Sequence, residues 1–157
     1  MFIYTLKAST LKLFAAICLS LVAVITLIAF IPTSTEDIAV IQEKKIDYTG
    51  VATNEDRISF LSQFGWEVKA TPVNSTETVI PSEFDNLFSG YNEIQKKQGL
   101  DLSDFKGNKV MKYTYEITNY PNYEGKVYAN LLIYRNRVIG GDICSAEITG
   151  FIHGFEK

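Results

Sequence analysis

The stretch KVYANLLIYRNRVIGGDICSA, residues 126–146, decides the fold of this chain because apolar and polar residues alternate along it. A period of two residues is typical of a β-strand with one buried face. If Arg135 and Asn136 form a two-residue loop, the stretch is a hairpin of two antiparallel strands. The same alternation in VMKYTYEIT, residues 110–118, adds a preceding strand. The last third of the chain is therefore predicted to be an antiparallel meander.

Two registers are open for this hairpin. The unbroken register pairs the residues of one face as follows: Ile133 with Val138, Leu131 with Gly140, Ala129 with Asp142, and Val127 with Cys144. It directs Asp142 towards the core, which is costly for a charge without partners. A bulge at Gly140 and Gly141 would reverse the alternation, turn Ile143 inward and leave Asp142 and Cys144 facing outward together.

A short helix and a strand are predicted at the start of the domain. TNEDRISFLSQFG, residues 53–65, combines a capping Thr53, acidic residues in the first turn and apolar residues at three-residue spacing. Gly65 is suited to ending the helix. The strand that follows carries Trp66 and Val68 on one face.

A second helix is predicted in SEFDNLFSGYNEIQKKQG, residues 82–99, with Ser82 as its N-cap and Gly99 at its end. Its apolar side chains recur at helical spacing and are expected to form a buried face: Phe84, Leu87, Phe88, Tyr91 and Ile94. Gly90 inside the helix suggests a close approach of another backbone. These elements predict an α+β domain over residues 53–157, in which two helices pack on a four- or five-stranded antiparallel sheet.

The N-terminal region contains LFAAICLSLVAVITLIAFI, residues 13–31, a run of 19 residues without a charge. At about 1.5 Å per residue, a helix of this length spans roughly the 30 Å hydrocarbon core of a bilayer. The run is longer than the apolar region of a cleaved signal, and Cys18 lies within it rather than at its end, as a lipidated cysteine would. A transmembrane helix at 13–31 is therefore favoured over either kind of signal peptide.

Charges around this segment predict its orientation. Lys7 and Lys12 precede it without an acidic residue, whereas Glu36 and Asp37 are the first charges after it. The positive-inside rule then makes residues 1–12 a cytoplasmic tail, residues 32–52 a stalk and residues 53–157 an extracytoplasmic domain. The expected location is the cell membrane, and the expected partner of residues 13–31 is the lipid bilayer.

Composition argues against several function classes. The formal net charge of −3 gives no electrostatic reason to bind nucleic acid. The scattered glycines match no phosphate-binding loop, so neither a nucleotide nor another cofactor is expected. The single histidine, His153, and Cys144 lack the paired spacing of metal ligands, so no metal site is expected.

Two hypotheses remain for the chemistry of the domain. As an enzyme, a thiol-dependent hydrolase or acyl transferase would use Cys144 as nucleophile, His153 as base and Asp142 to orient the base. The strand-like setting of Cys144 argues against this hypothesis, because a reactive cysteine usually has surroundings that lower its pKa. His153 also alternates with Phe151 and Phe155, which is typical of a packed aromatic layer.

As a binding module, the domain would use the strand face that carries Tyr128, Asn130 and Tyr134. Aromatic rings interleaved with an amide suit a glycan or a peptide segment. The alternative is an ordinary strand face that the second helix covers. We expect a binding or sensing module of the cell envelope with a protein or glycan partner and no catalytic activity.

Several longer phrases resemble a known family: FLSQFGWEV (60–68), YNEIQKKQGLDLSDFKG (91–107), YTYEITNYP (113–121), VIGGDI (138–143) and GFIHGF (150–155). On these residues the chain resembles a group of single-pass membrane proteins of Gram-positive bacteria, domain of unknown function 4830. The resemblance covers most of the predicted extracytoplasmic domain and extends to the membrane segment. It implies location and architecture, and it implies no activity, ligand or catalytic residue.

Overall fold

A computed structural model describes residues 45–147 and 149–157 of the chain. Within these ranges no helix is long and apolar enough to cross a membrane. The predicted transmembrane helix at 13–31, the tail at 1–12 and the stalk up to residue 44 lie outside the described residues. Residues Lys45–Lys157 form one compact unit.

The unit contains two α-helices, a 3₁₀ helix and a five-stranded antiparallel sheet. In chain order these are α1 (Asn54–Ser62), β1 (Asn74–Val79), α2 (Asn86–Lys97), the 3₁₀ helix (Leu102–Phe105), β2 (Lys109–Ile117), β3 (Val127–Tyr134), β4 (Arg137–Ser145) and β5 (Ile152–His153). Each strand pairs with the next, so the spatial order is β1-β2-β3-β4-β5. The predicted α+β class and the antiparallel meander are confirmed.

The first face of the sheet holds the larger hydrophobic core. It is built from strand residues Tyr115, Ile117, Val127, Ala129, Leu131, Ile133, Val138 and Ile143, packed against Val51, Phe60, Leu61, Trp66, Leu100 and Phe155. Two hydrogen bonds pair polar atoms of this core: Arg57 Nε donates to the hydroxyl of Tyr115 at 2.8 Å, and Trp66 Nε1 donates to the carbonyl of Phe155 at 2.6 Å. The C-terminus is therefore part of the core.

The second face of the sheet packs against α2 and the 3₁₀ helix. Its buried apolar residues are Ile80, Leu102, Val110, Leu132 and Ile139, with the partly buried rings of Phe84, Phe88, Tyr91, Phe105 and Tyr134 around them. Because successive side chains of a strand point to opposite faces, residues 110 and 132 lie on this face and residues 115 and 131 on the other. The two α-helices thus pack on opposite faces.

The hairpin between β3 and β4 contains a bulge. Arg135 and Asn136 have positive φ of 49° and 60°, as a two-residue type I′ loop requires. Ile133 pairs with Val138, but Leu132 then pairs with Gly140, which leaves residue 139 unpaired. The unbroken register is wrong. The bulge lies one residue before the predicted Gly140 and Gly141, and it turns Ile143 into the first-face core as expected.

The start of the domain differs from the prediction in two places. Thr53 caps α1 through the expected capping box with Asp56. The strand predicted at Trp66 and Val68 is wrong, since only an isolated bridge joins Val68 to Ile117. Residues 45–52, predicted as the end of the stalk, pack on the domain: Val138 N–H donates to the carbonyl of residue 48, and Val51 N–H to that of residue 136. The compact unit therefore begins at residue 45 rather than 53.

Helix α2 is rotated relative to the predicted apolar face: Phe88 and Tyr91 still pack against the second-face core, but polar residues take the most buried positions. Asp85, not Ser82, is its N-cap, accepting a hydrogen bond from the N–H of Phe88. Its buried residues are Asn92 and Gln95, whereas Leu87 is 85% exposed. Gly90 is not a site of close approach, because a Cβ built there would meet nothing within 4 Å.

Candidate functional site

A groove of about 370 Å³ lies on the second face of the sheet, beside α2. Its lining comes from all five strands, from the segment after β1 and from one side of the helix: Thr78, Val79, Ile80, Phe88, Tyr91, Lys112, Asn130, Leu132, Asp142, Cys144 and Ile152. Neighbouring strands are about 4.8 Å apart, so the lining spans about 19 Å from β1 to β5. This volume is within the range of small-molecule sites.

A row of polar side chains crosses the floor of the groove. Thr114, Asn130 and Asp142 are direct cross-strand neighbours on β2, β3 and β4. Thr114 Oγ1 donates to Asn130 Oδ1 at 2.8 Å, and Asn130 Nδ2 donates to Asp142 Oδ1 at 2.9 Å. The hydroxyl of Tyr91 donates to Asp142 Oδ2 at 2.9 Å. The row therefore fastens α2 to the sheet and gives each buried polar group a partner.

The bulge in β4 creates this row. Without the unpaired residue 139, Asp142 would oppose Ala129 on the first face, whereas with it Asp142 opposes Asn130. Asp142 is 4% exposed, and its burial is acceptable because two donors bond its carboxylate. The prediction that the bulge leaves Asp142 facing outward is wrong, since α2 covers it.

Glutamines of α2 hold the helix against Gly141. The side-chain oxygen of Gln95 accepts from Gly141 N–H at 2.8 Å, and Gln98 Nε2 donates to the Gly141 carbonyl at 3.1 Å. A Cβ at Gly141 would collide with the carbonyl oxygen of Asn130 and the ring of Phe155. Only glycine lets this strand, the helix and the C-terminus approach so closely.

The thiol and phenol of the groove are kept neutral by their surroundings. Burial, and then the negative charge of Asp142 and a hydrogen bond to it, raise the pKa of Cys144 to about 11. Burial and the same charge raise the pKa of Tyr91 well above its usual value. A thiol with a raised pKa is a poor nucleophile at neutral pH.

The structure does not assemble the candidate catalytic residues Cys144, His153 and Asp142. On β4 and β5, Cys144 pairs with Ile152, whereas His153 pairs with Ile143 of the first face. Adjacent positions on a strand alternate between faces, so the imidazole and the thiol lie on opposite sides of the sheet. Asp142 bonds to Tyr91 and Asn130 instead of the histidine.

The aromatic surroundings of His153 occupy both ring nitrogens. Nδ1 donates to the carbonyl of Gly154 at 2.7 Å, so Nε2 accepts from the hydroxyl of Tyr120 at 3.0 Å. Its ring stacks on Phe151 with centroids 5.6 Å apart. His153 is therefore part of a packed aromatic layer, as its alternation with Phe151 and Phe155 indicates. No cluster of three or more potential metal ligands occurs within residues 45–147 and 149–157.

The predicted binding face is only partly available. Tyr128, Asn130 and Tyr134 share the second face, but Asn130 alone lines the groove. Asn130 is 6% exposed and bonded on both its amide atoms. Tyr134 packs edge-on against Phe105 at 5.7 Å. The three residues therefore do not form one continuous aromatic surface.

The sequence does not identify three polar residues of the groove, Thr78, Tyr91 and Lys112. The helical spacing places Tyr91 in an apolar stripe, although a buried tyrosine hydroxyl needs a partner and so indicates a polar contact. Lys112 lies on the polar side of the alternating stretch 110–118. It takes part in none of the three ion pairs in the described part of the chain, which are Lys69–Glu116, Lys96–Glu93 and Lys109–Glu77.

Comparison with known proteins gives one match. The family model described as "Domain of unknown function (DUF4830)" matches residues 60–143. This segment contains Tyr91, Lys112, Asn130 and Asp142, and with them most of the groove. No curated protein and no solved structure matches the chain.

Proposed function

We propose that this chain, which belongs to the DUF4830 family, is a binding module of the cell envelope whose ligand occupies the groove beside α2. The observation that carries the proposal is the groove itself, with a hydrogen-bonded floor and apolar walls. A concave, mostly apolar site with a few convergent polar groups is the usual form of a ligand site.

Helix α2 supports the proposal through the way it packs. The amide side chains of Gln95 and Gln98 bond to Gly141 of the sheet, while Phe88 lines the groove and Leu87 is exposed. Hydrophobic burial alone would favour a rotation of the helix that covers Leu87 as well. An arrangement that holds apolar surface open with buried hydrogen bonds is what a preformed site requires.

The binding module is proposed to act without catalysis. The thiol of Cys144 has a raised pKa, and His153 lies on the other face of the sheet. The groove has room for a small molecule or for one side chain or sugar of a larger partner. The envelope protein or glycan partner expected from the sequence would enter it with such a group.

The proposed location is the outer side of the cell membrane. Residues 13–31 would anchor the chain in the lipid bilayer, residues 1–12 would remain in the cytoplasm, and residues 45–157 would lie outside. Protease added to intact cells should then degrade the C-terminal domain. A domain that is cut only after lysis would contradict this topology.

A photo-crosslinking amino acid can test the groove with a matched control. Thr78 and Ile152 line it on its two edge strands; Ile152 is 49% exposed, and Val73, outside the groove, is 50% exposed. We expect crosslinkers at Thr78 and Ile152 to capture the same envelope component in intact cells, and one at Val73 to capture none of it. Equal capture at all three positions, or none at either groove position, would refute the proposal.

A further inference from the structure

We propose that the ligand of the groove is a small apolar monocarboxylate of about a dozen non-hydrogen atoms, bound through its carboxylate by Lys112; this inference rests on the proposed function of the groove. The size of the ligand follows from the groove volume of about 370 Å³, if each non-hydrogen atom with its hydrogens takes about 30 Å³, the volume of one water molecule in the liquid. The apolar body and the single negative charge follow from the lining.

The positive charge of Lys112 is the one the groove offers to a ligand. Lys112 lines the groove, is half-buried and has no carboxylate within ion-pair distance in the part of the chain that the structure describes. The charge of Lys112 also acts on Cys144 in the groove. It lowers the pKa of this thiol, although the larger effect of burial raises it. A half-buried ammonium without a partner gains most from an anion that forms a charge-assisted hydrogen bond.

The negative charge of Asp142 is already satisfied by the protein. Tyr91 and Asn130 each donate to one of its carboxylate oxygens, and 4% of the residue is exposed. Both donors are neutral, so the lining keeps one cation and one anion, of which only the cation is accessible. Because only the positive charge is accessible, the groove favours a ligand with a carboxylate over one with an ammonium group.

The remaining walls select an apolar body. Ile80, Phe88 and Leu132 line the groove beside Lys112, and half-exposed Ile152 lines it at the edge strand β5. At about 25 cal/mol per Å² of buried apolar area, an aryl or alkyl group gains free energy along these walls. A small polar acid would make the ion pair without this gain.

The test compares three probes that share one skeleton: 4-phenylbutyrate, 4-phenylbutan-1-ol and 4-phenylbutylamine. Each is titrated into the full-length chain in a non-ionic detergent, and the methyl NMR signals of Thr78, Leu132 and Ile152 report binding. We expect the carboxylate to bind at least about tenfold more tightly than the alcohol, with the amine weakest, because a charge-assisted bond contributes about this factor.

Two lysine substitutions on the same strand supply the protein controls. Lys112→Met should reduce the affinity for 4-phenylbutyrate to that for the alcohol, while Lys112→Arg should retain most of it. Lys109→Met removes a lysine that pairs with Glu77 and does not line the groove, so it should change nothing. An unchanged spectrum of the first-face methyls shows that each variant is folded.

The outcomes separate this inference from the function on which it rests. Equal binding of acid and alcohol, tighter binding of the amine, or an unaffected Lys112→Met variant would overturn the carboxylate assignment and leave the groove as a binding site. The absence of any shift at Thr78, Leu132 and Ile152 with all three probes would overturn the carboxylate assignment and count against the groove as well.

Discussion

Within the described residues, the first face of the sheet packs fourteen buried residues into one core, whereas the second face buries five apolar residues around hydrogen-bonded polar side chains. Trp66, Phe60 and Phe155 close the first face almost completely. On the second face, α2 is fastened by amides and leaves a groove beside it. We therefore propose a division of tasks between the two faces: the first supplies stability, and the second holds the ligand site.

The largest expected effect is the loss of stability when a buried aromatic ring of the first face is truncated, compared with the loss for a ring of the second face. Phe155 is 0% exposed and lies 5.2 Å from Phe60 between ring centroids, so Phe155→Ala should lower the free energy of unfolding by about 3–5 kcal/mol. Phe88→Ala, in the half-buried groove wall, should lower it by less than about 1.5 kcal/mol. Urea unfolding followed by Trp66 fluorescence measures both. Equal losses would mean that the two faces do not differ as described.

The reactivity of Cys144 tests how closely the second face is packed. With a pKa of about 11 instead of 9.0, the thiolate fraction at pH 8 should be about a hundredfold below that of the unfolded chain. Alkylation of the folded chain should therefore be slower by a similar factor, as measured by mass spectrometry of the Cys144 peptide. Rapid alkylation at pH 8, suppressed by His153→Ala, would instead revive the enzyme hypothesis.

Two glycine substitutions compare a crowded position in β4 with an open position in α2. Gly141→Ala should lower the free energy of unfolding by about 1–3 kcal/mol. The added Cβ would collide with the carbonyl oxygen of Asn130 in β3 and with the ring of Phe155 near the C-terminus. Gly90→Ala on the open side of α2 should raise it by roughly 0.5–1 kcal/mol, since alanine favours a helix and nothing obstructs the methyl group. Thermal unfolding compares the pair, and a destabilised Gly90→Ala would show that α2 is covered where the structure leaves it open.

The smallest effect concerns the attachment of the 3₁₀ helix to α2. Hydrogen bonds from the Ser103 hydroxyl, the Asn92 amide and the Ser103 N–H lower the pKa of Asp101 from 3.8 to about 2. A carboxyl whose pKa is depressed in the folded state stabilises the fold above about pH 4, and this contribution is lost as the pH falls towards 2. Asp101→Asn should remove this part of the acid dependence in unfolding measured at pH 2 to 5, and an unaltered pH profile would contradict the assignment.

The strands could be predicted from the sequence and the attachment of α2 could not. Alternation of residues is a local signal, so the meander, the loop at Arg135 and Asn136 and the inward Ile143 follow from it. The orientation of α2 depends on Gln95 meeting Gly141, 46 residues away along the chain. The apolar stripe predicts burial of Leu87, which is exposed, so only the three-dimensional contact decides how far the helix is rotated.

The site shows the same limit. The sequence places Asp142 and Cys144 on one face and predicts that a bulge turns both to the face opposite Ile143, which the register confirms. Their covering helix and the donors Tyr91 and Asn130 come from elements distant in sequence. The sequence leaves catalysis with His153 open as the alternative to a binding module, whereas the fold places that residue on the face opposite Cys144.

The division of tasks between the two faces is tested most directly by locating a bound ligand. An isotope-filtered NOE spectrum of the full-length chain with 4-phenylbutyrate should give cross-peaks from the ligand to the methyl groups of Leu132 and Ile152 on the second face. It should give none to Val127 and Ile143, which are buried in the first-face core. Cross-peaks to Val127 or Ile143 in place of Leu132 and Ile152 would contradict the account.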